Sequence, residues 1–377
     1  MAGTRVKRLT TSTRDLTSTR DVIERWLTTK LPLGARPHVS ELEGPPTNGS
    51  SSVTIMFDAW WTEHGRKQSA QLVGRIAPDP TDFPVFPTYD IPAQFKVMAK
   101  VRELSKVPVP EPLWLEPDAS VLGQPFLVMR RVDAHVPPDV LPYPFGGNWL
   151  YDATRDQQRR VQHSSVQVLA DIHAIPDVER HFSFLYGGVP GETALRRHYQ
   201  LHVVDYYEWA AQITRSPLIE RCLEHLEASW PEAGGQPVLS WGDARIGNVL
   251  YRDFEAAAVL DWEMASIGPR EIDVGWFVYF HRFFEDLVQN MGHTGGMPHF
   301  LRRDDVVATY ERMTGHACTD MDWFCLLAAT RHAVIELRTG FRRVQFGEAQ
   351  MPEDRDDLIL HRSTLEQMLD GAYWEQI

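Results

Sequence analysis

Two carboxylates and one amide stand out in the sequence for the chemistry they allow. Asp243 and Asn248 lie five residues apart within Trp241-Gly242-Asp243-Ala244-Arg245-Ile246-Gly247-Asn248, and Asp261 follows in Leu260-Asp261-Trp262-Glu263. Apolar runs flank the first pair, Val238-Leu239 before it and Val249-Leu250-Tyr251 after it, and Ala257-Ala258-Val259-Leu260 leads to Asp261. Each polar group thus sits at the edge of a strand-like segment, so all three can converge on one point. Phosphoryl transfer uses such a set: one carboxylate faces the acceptor hydroxyl, while an Asn and an Asp give Mg²⁺ oxygen ligands against the phosphates. Either acid alone would read as a solvated turn residue, because Gly-Asp and Gly-Asn pairs are ordinary turn chemistry. Order and spacing of all three carry the reading.

The elements upstream must hold a nucleotide if this reading is right. His38 to Leu42 and Val53 to Phe57 read as strands around a Gly/Ser-rich stretch, in which Gly49, Ser50, Ser51 and Ser52 can turn backbone N–H groups toward phosphates. Gln71 to Ile76 reads as a strand with Arg75 near its end, where a guanidinium can grip two phosphate oxygens. Five prolines between residues 77 and 92 predict a loop without regular structure. Phe95, Met98, Val101 and Leu104 then give a helix from Ala93 to about Lys106 its apolar face. Leu113-Trp114-Leu115 and Phe126 to Met129 read as a hairpin, after which the chain passes a hinge at about 129–134.

Downstream the pattern is helical, at 152–175, 194–209, 217–230, 274–280, 304–314, 320–340 and 355–370, with a three-turn helix near residue 20 before the first strand. His173, at the end of one helix, reads as a structural hydrogen-bonder. Asp273, at the start of another, reads as a brace behind the loop of Asp243.

Composition narrows the function classes. A 377-residue chain with 43% hydrophobic and 11% aromatic residues builds a full core, and a net charge of −13 argues against a nucleic-acid binder driven by phosphate contacts. Cys222, Cys318 and Cys325 form no Cys-x-x-Cys pair, which fits a reducing compartment, and Cys318 and Cys325, near acids and apolar residues, read as buried thiols rather than zinc ligands. Met1 to Arg20 is rich in Thr and Arg without an apolar core, and no apolar run approaches a membrane span of ~18 residues. The expectation is a cytoplasmic protein with no membrane partner; oligomeric state is not legible.

Residues 38 to 340 resemble the aminoglycoside phosphotransferase-like family, relatives of choline kinases with a protein-kinase-like fold. The resemblance rests on the Gly/Ser stretch, Leu72-Val73-Gly74-Arg75, Phe126 to Met129, Leu169 to His173, Trp241-Gly242-Asp243 through Asn248, Asp261-Trp262-Glu263, and Gly268 to Asp273. The chain looks closest to the branch of kinase-like domains fused to acyl-CoA dehydrogenases. The resemblance implies a bilobal α+β fold: a β-rich nucleotide-binding lobe over residues 1–133 and an α-rich catalytic and acceptor-binding lobe over 134–377. It makes Asp243 the catalytic aspartate, Asn248 and Asp261 the Mg²⁺ ligands, Arg75 the phosphate clamp and Ser50 to Ser52 the phosphate cover. Met129, Arg130 and Val132 become the adenine-facing hinge. The implied cofactors are ATP and Mg²⁺, and the implied partner is a small-molecule hydroxyl acceptor. Three residues depart from the family pattern. Trp241 stands where many relatives have His, Gln94 where a Glu pairs with the strand cation, and Ser52 where an Asn is common.

Two other function classes compete. A nucleotide-binding pseudokinase is favoured by Gln94 and opposed by the complete acid-amide-acid set. A metal-dependent hydrolase needs further ligands near Asp261, and only Glu263 offers itself. Aminoglycosides, amino alcohols, hydroxy acids and hydroxyacyl thioesters all remain open as acceptors. Arg245 could meet an anionic one or form a structural salt bridge, and the acids after Gly347 could meet a cationic one.

Overall fold

The structure, a computed structural model, describes residues 16–44, 51–187, 192–231 and 236–374. It divides into two compact units: residues 1–95, 111–131 and 338–351, and residues 96–110, 132–337 and 352–377. The fold is mixed α and β, with a five-stranded sheet in the first unit and most of the helices in the second.

The first unit is built on helix α1 (Leu16–Lys30) and strands β1 (His38–Val39), β2 (Val53–Glu63), β3 (Arg66–Ile76), β4 (Pro112–Glu116) and β5 (Phe126–Arg130). Helix α2 (Ile91–Leu104) starts within it, and one short turn, α3 (Ala119–Leu122), lies between β4 and β5. The sheet is antiparallel in the order β1-β2-β3-β5-β4. Successive side chains alternate between faces, so Ile55, Phe57 and Ala59 of β2 point inward with Ala70, Leu72 and Ile76 of β3. Gly74 belongs to that inward set because a Cβ there would lie 2.9 Å from Cγ1 of Ile55, its cross-strand neighbour. Arg75 is thereby turned to the opposite face. Both hairpin strands run longer than the sequence predicts, meeting at His64-Gly65. Both turn residues have positive φ (49° and 74°), as a two-residue type I′ turn requires.

Helix α1 covers the sheet through Ile23, Trp26 and Leu27. Trp26 packs edge-on against Phe126 and Trp114, at centroid distances of 4.7 and 6.2 Å, and its indole N–H donates to Glu116 Oε2 at 2.7 Å. Helix α2 begins two residues earlier than predicted. Asp90 Oδ1 accepts from the Ala93 amide at 2.8 Å, and Pro92 sits in the first turn, where its missing N–H costs nothing. Residues 338–351 join this unit because Arg338 donates to the Pro84 carbonyl and Phe83 packs on Phe341 and Phe346.

The second unit contains α4 (Arg155–His173), α5 (Val178–His181), α6 (Ala194–Tyr199), α7 (Asp205–Ala211) and α8 (Pro217–Ala228). After two short hairpin-like pairs come α9 (Glu271–Asn290), α10 (Arg303–Thr314), α11 (Met321–Gln345), which ends in the first unit, and α12 (Arg362–Leu369). Strand β6 (Val238–Ser240) pairs with β9 (Ser266–Gly268), and β7 (Val249–Arg252) with β8 (Glu255–Val259), both antiparallel. Thr154 and Gln157 close a capping box at the start of α4, which packs on β6, β8 and α10. The single helix expected at 194–209 is instead two α-helices joined by a π-helical stretch, Gln200–Val204.

Removing the Trp26 anchor tests the α1 packing. Trp26→Ala is expected to lower unfolding stability by ~3–5 kcal/mol, read from urea denaturation, through lost burial and the cavity left behind. A loss below ~1 kcal/mol would show that α1 is an accessory to the sheet rather than part of its core.

Candidate functional site

In the second unit the loop between β6 and β7 carries Asp243 and Asn248. Gly242 has φ +88°, and a Cβ on it would fall 2.0 Å from the Met264 carbonyl oxygen, so only glycine fits the turn before Asp243. Ile246 to Asn248 form a single 3₁₀ turn that brings Asn248 back onto Asp243. The Asn248 amide donates to Asp243 Oδ2 at 2.6 Å and to the Asp243 carbonyl at 3.1 Å. With its N–H₂ used in this way, the Asn248 side-chain oxygen is turned elsewhere.

Asp261 follows β8, and the backbone ties it to the same loop. The Leu260 amide donates to the Asn248 carbonyl at 2.8 Å, and the Trp241 indole donates to the carbonyls of Leu260 (2.8 Å) and Asp261 (3.2 Å). Trp241 is almost wholly buried against Trp262. Besides packing there, it fastens the segment carrying Asp261 to the loop carrying Asp243. Asp261 holds a left-handed backbone, φ +59°, a costly conformation for a non-glycine residue.

Behind the loop stands Asp273, completely buried in the first turn of α9. Its Oδ1 accepts from Ser240 Oγ (2.7 Å) and the Gly242 amide (2.9 Å); its Oδ2 accepts from the Trp241 amide (2.6 Å) and faces His173 Nε2 at 3.0 Å. The other ring nitrogen of His173 meets the Tyr310 hydroxyl at 2.7 Å. Asp273 and His173 therefore stand where the sequence reading put them, as supports.

Of three neighbours of Asp243, only Arg245 was singled out by the sequence; Trp276 and Arg331 carry no obvious signal there. Trp276, one helical turn beyond Asp273, donates its indole N–H to Asp243 Oδ1 at 2.9 Å. Arg245 Nε contacts both Asp243 oxygens at 3.1 and 3.2 Å, while its Nη1 pairs with Asp139 from the proline-rich segment after residue 136. Burial alone would lower the Arg245 pKa, but Asp139 and Asp243 outweigh it and raise it above the ordinary arginine value. Arg245 is thus held between two carboxylates as a structural cation. The third neighbour, Arg331 of α11, is buried with its guanidinium 5.7 Å from the centroid of the Trp276 ring.

In the first unit, Arg75 donates from Nε (3.1 Å) and Nη2 (2.6 Å) to Ser52 Oγ, and both Ser52 and Gln94 are buried. Ser51 is described next to Ser52, whereas Gly49 and Ser50 lie outside the described residues. Met129 is a buried residue of β5, bonded between β3 and β4. The Arg130 amide donates to the Glu111 carbonyl and the Arg131 amide to the Gln71 carbonyl, each at 2.9 Å, so the sheet uses these donors. The Val132 amide makes no backbone hydrogen bond among the described residues.

Two other groups of metal-type donors lie in the second unit: His332, Glu336 and His361, and Glu271, His316 and Cys318. In the first, burial raises the Glu336 pKa, but His361, His332 and the Leu360 amide more than offset this and hold it below the usual carboxylate range. In the second, burial, with Glu271 and Glu311, pushes the Cys318 thiol up to about 12, and His316 already meets Glu271 at 2.7 Å. Cys318 thus has a histidine and an acid beside it, closer company than its sequence surroundings implied.

Comparison with known proteins places this geometry in a class. The profile of the phosphotransferase enzyme family matches residues 56–313, and the chain belongs to that family. Acyl-CoA dehydrogenase family member 11 of Gallus gallus is 29% identical over 176 residues, which is 46% of this chain and 21% of that protein. The probable acyl-CoA dehydrogenase IBR3 of Arabidopsis thaliana is 21% identical over 273 residues, 69% of this chain and 32% of that one. The chain therefore spans a fifth to a third of the length of these curated relatives.

Among solved structures, a candidate aminoglycoside phosphotransferase of Ralstonia eutropha JMP134 superposes with TM-score 0.65 at 20% identity, covering 94% of this chain and 98% of that one. A thermostable mutant of aminoglycoside phosphotransferase APH(4)-Ia, solved with AMP-PNP and hygromycin B, gives 0.51 at 18% identity, covering 90% and 98%. These likenesses show the kinase-like fold of the family.

The Asp273 brace can be tested by removing one acceptor oxygen. Asp273→Asn leaves a buried amide group facing amide or hydroxyl donors and is expected to cost ~1–3 kcal/mol in thermal or urea melts. Unchanged stability would mean that the loop of Asp243 holds itself.

Proposed function

We propose that the protein is an ATP- and Mg²⁺-dependent small-molecule O-phosphotransferase. The observation that carries the proposal is the direct Asn248–Asp243 hydrogen bond in a loop fastened by Trp241 to the segment of Asp261 and braced by Asp273. In this reading Asp243 accepts a hydrogen bond from the acceptor hydroxyl, its orientation fixed by Asn248, Trp276 and Arg245. As the acceptor oxygen bonds to the γ-phosphorus and the bond to the β–γ bridging oxygen breaks, the hydroxyl proton passes to Asp243 and ADP departs.

Asn248 and Asp261 fit a hard divalent cation, since they offer an amide oxygen turned away from Asp243 and a carboxylate, both oxygen ligands. Bound there, Mg²⁺ would neutralise charge on the β- and γ-phosphates. Arg75, with Ser51 and Ser52, is assigned to the phosphates, and its pairing with Ser52 keeps the guanidinium in a fixed orientation. Of the hinge residues, Val132 is assigned the amide donor to adenine, because the neighbouring amides are used in the sheet. We assign residues 1–133 chiefly to nucleotide binding and 134–377 chiefly to catalysis and acceptor binding. The three free thiols fit a reducing, cytoplasmic compartment. Among the described residues no helix is long and apolar enough to cross a membrane.

A regulatory pseudokinase is the second reading, favoured by the buried, uncharged Gln94. Transfer of labelled γ-phosphate from Mg·ATP to a panel of hydroxyl acceptors separates the two. Asp243→Ala, Asn248→Ala and Asp261→Ala are each expected to lower turnover at least ~10²-fold, the usual loss of one preorganised electrostatic group. Near-normal turnover in Asp261→Ala would overturn the metal assignment. Saturable Mg·ATP binding without transfer to any acceptor would favour the pseudokinase.

A further inference from the structure

Arg331 has no counterpart to the carboxylates that hold Arg245. Its side chain is buried, and neither Nε nor Nη1 has a hydrogen-bond partner among the described residues. Among the described residues no ion pair of Arg331 is recorded. The two carboxylates that act on it electrostatically, Asp243 and Asp273, already accept hydrogen bonds from other residues. The imidazoles that feel its charge, buried His198 and half-buried His202, are held well below the ordinary histidine pKa, chiefly by desolvation, and neither is an anion. Burial also pulls the Arg331 pKa down to about 10, which still leaves it a cation near neutrality.

A buried guanidinium with idle donors is costly unless an anion reaches it. Asp139 Oδ1 is also buried without a hydrogen-bond partner, but it is an acceptor, so the idle donors of this cluster lie in one place, on Arg331. Trp276 links that place to the chemistry: its ring lies beside the guanidinium and its N–H holds Asp243 Oδ1. A ligand whose hydroxyl meets Asp243 would have a group a short spacer away beside Arg331.

We propose that Arg331 binds an oxyanion of the acceptor, so that the substrate is a small hydroxy compound carrying a carboxylate or phosphate near the hydroxyl to be phosphorylated. The inference rests on the phosphotransferase reading and names its acceptor class. An idle N–H of Arg331, at Nε or Nη1, donates to the oxyanion, the indole of Trp276 supports the guanidinium, and Asp243 aligns the hydroxyl. Cationic aminoglycosides and amino alcohols would bring like charge to a buried cation and are disfavoured.

The test uses the full chain with matched alcohols bearing a carboxylate, a phosphate, a neutral carboxamide or an ammonium group. Transfer from Mg·ATP gives kcat and KM, and thermal shift without nucleotide gives binding. The wild type is expected to favour one oxyanion class over its carboxamide by at least about 10²-fold in kcat/KM, as a site built for a polar group rejects analogues lacking it. Arg331→Met should abolish that preference mainly through KM, and Arg331→Lys, which keeps the charge without the fork, should restore part of it.

The carboxylate and phosphate arms decide which oxyanion is used. Best use of the ammonium or carboxamide compounds by the wild type would overturn the proposal. So would an unchanged oxyanion preference in a folded Arg331→Met variant. Oxyanion-specific stabilisation lost in Arg331→Met, with no phosphate transfer, would retain the site and reject the phosphotransferase reading; no oxyanion-specific effect in either measurement would reject the site.

Discussion

The second unit depends on one buried carboxylate. Asp273 has two oxygens and four partners, three of them on consecutive residues, Ser240, Trp241 and Gly242. Those residues form the end of β6 and the turn into Asp243, so helix α9 and the loop are joined by charge-assisted hydrogen bonds rather than by packing alone. A carboxylate without exposure is costly, and here the cost is offset because backbone amides, a hydroxyl and an imidazole satisfy it. Everything Asp243 touches follows from this: Trp276 is one turn further along the same helix, and Asn248 closes the loop from the other side.

Charge in the cluster is arranged in layers. Arg245 is clamped between Asp139 and Asp243 and lies 5.4 Å from the centroid of the Phe280 ring, so its positive charge is consumed locally. Of the two roles the sequence left open for it, the structural salt bridge is the one formed here. Arg331 is the opposite case, with aromatic company and idle donors. The distinction between two arginines in one cluster is invisible in sequence, because it depends on Asp139, which lies 106 residues before Arg245.

Local signals survived the passage to structure best. The five-residue spacing of Asp243 and Asn248 became a direct hydrogen bond, since a short loop closed by a 3₁₀ turn between two strands brings the two residues together. Strands were legible where apolar alternation was strong, as in Val53 to Phe57 and Gln71 to Ile76. They were under-read where Trp60, Trp61 and Gln68 interrupted the pattern in the outer half of the hairpin. The start of α2 was misplaced because Pro92 reads as a breaker, although proline suits the first helical turn. The π-helical Gln200–Val204 gave no warning, because its apolar spacing mimics a continuous helix. Long-range partners such as Asp139, Trp276 and Arg331 could not be found at all, since no pattern within one sequence reports which helices share a core.

Several costs meet in one part of the second unit. Gly242 and Asp261 hold left-handed backbone, Asp273 is a charge without exposure, and Arg331 is a cation without a bonded anion. By contrast the sheet and α1 of the first unit combine alternating strands, a matched type I′ turn and an aromatic anchor. Sequences that fold well satisfy local and global preferences together, and departures gather where geometry is held for another purpose. The resemblance to solved phosphotransferases extends over most of the chain at about one-fifth identity, so what is shared is chiefly the backbone frame. Within that frame the proposed transfer groups sit on the braced loop, whereas Arg331 is a feature of side chains. On the proposed reading, that separation would let one scaffold keep its chemistry while the identity of the acceptor changes.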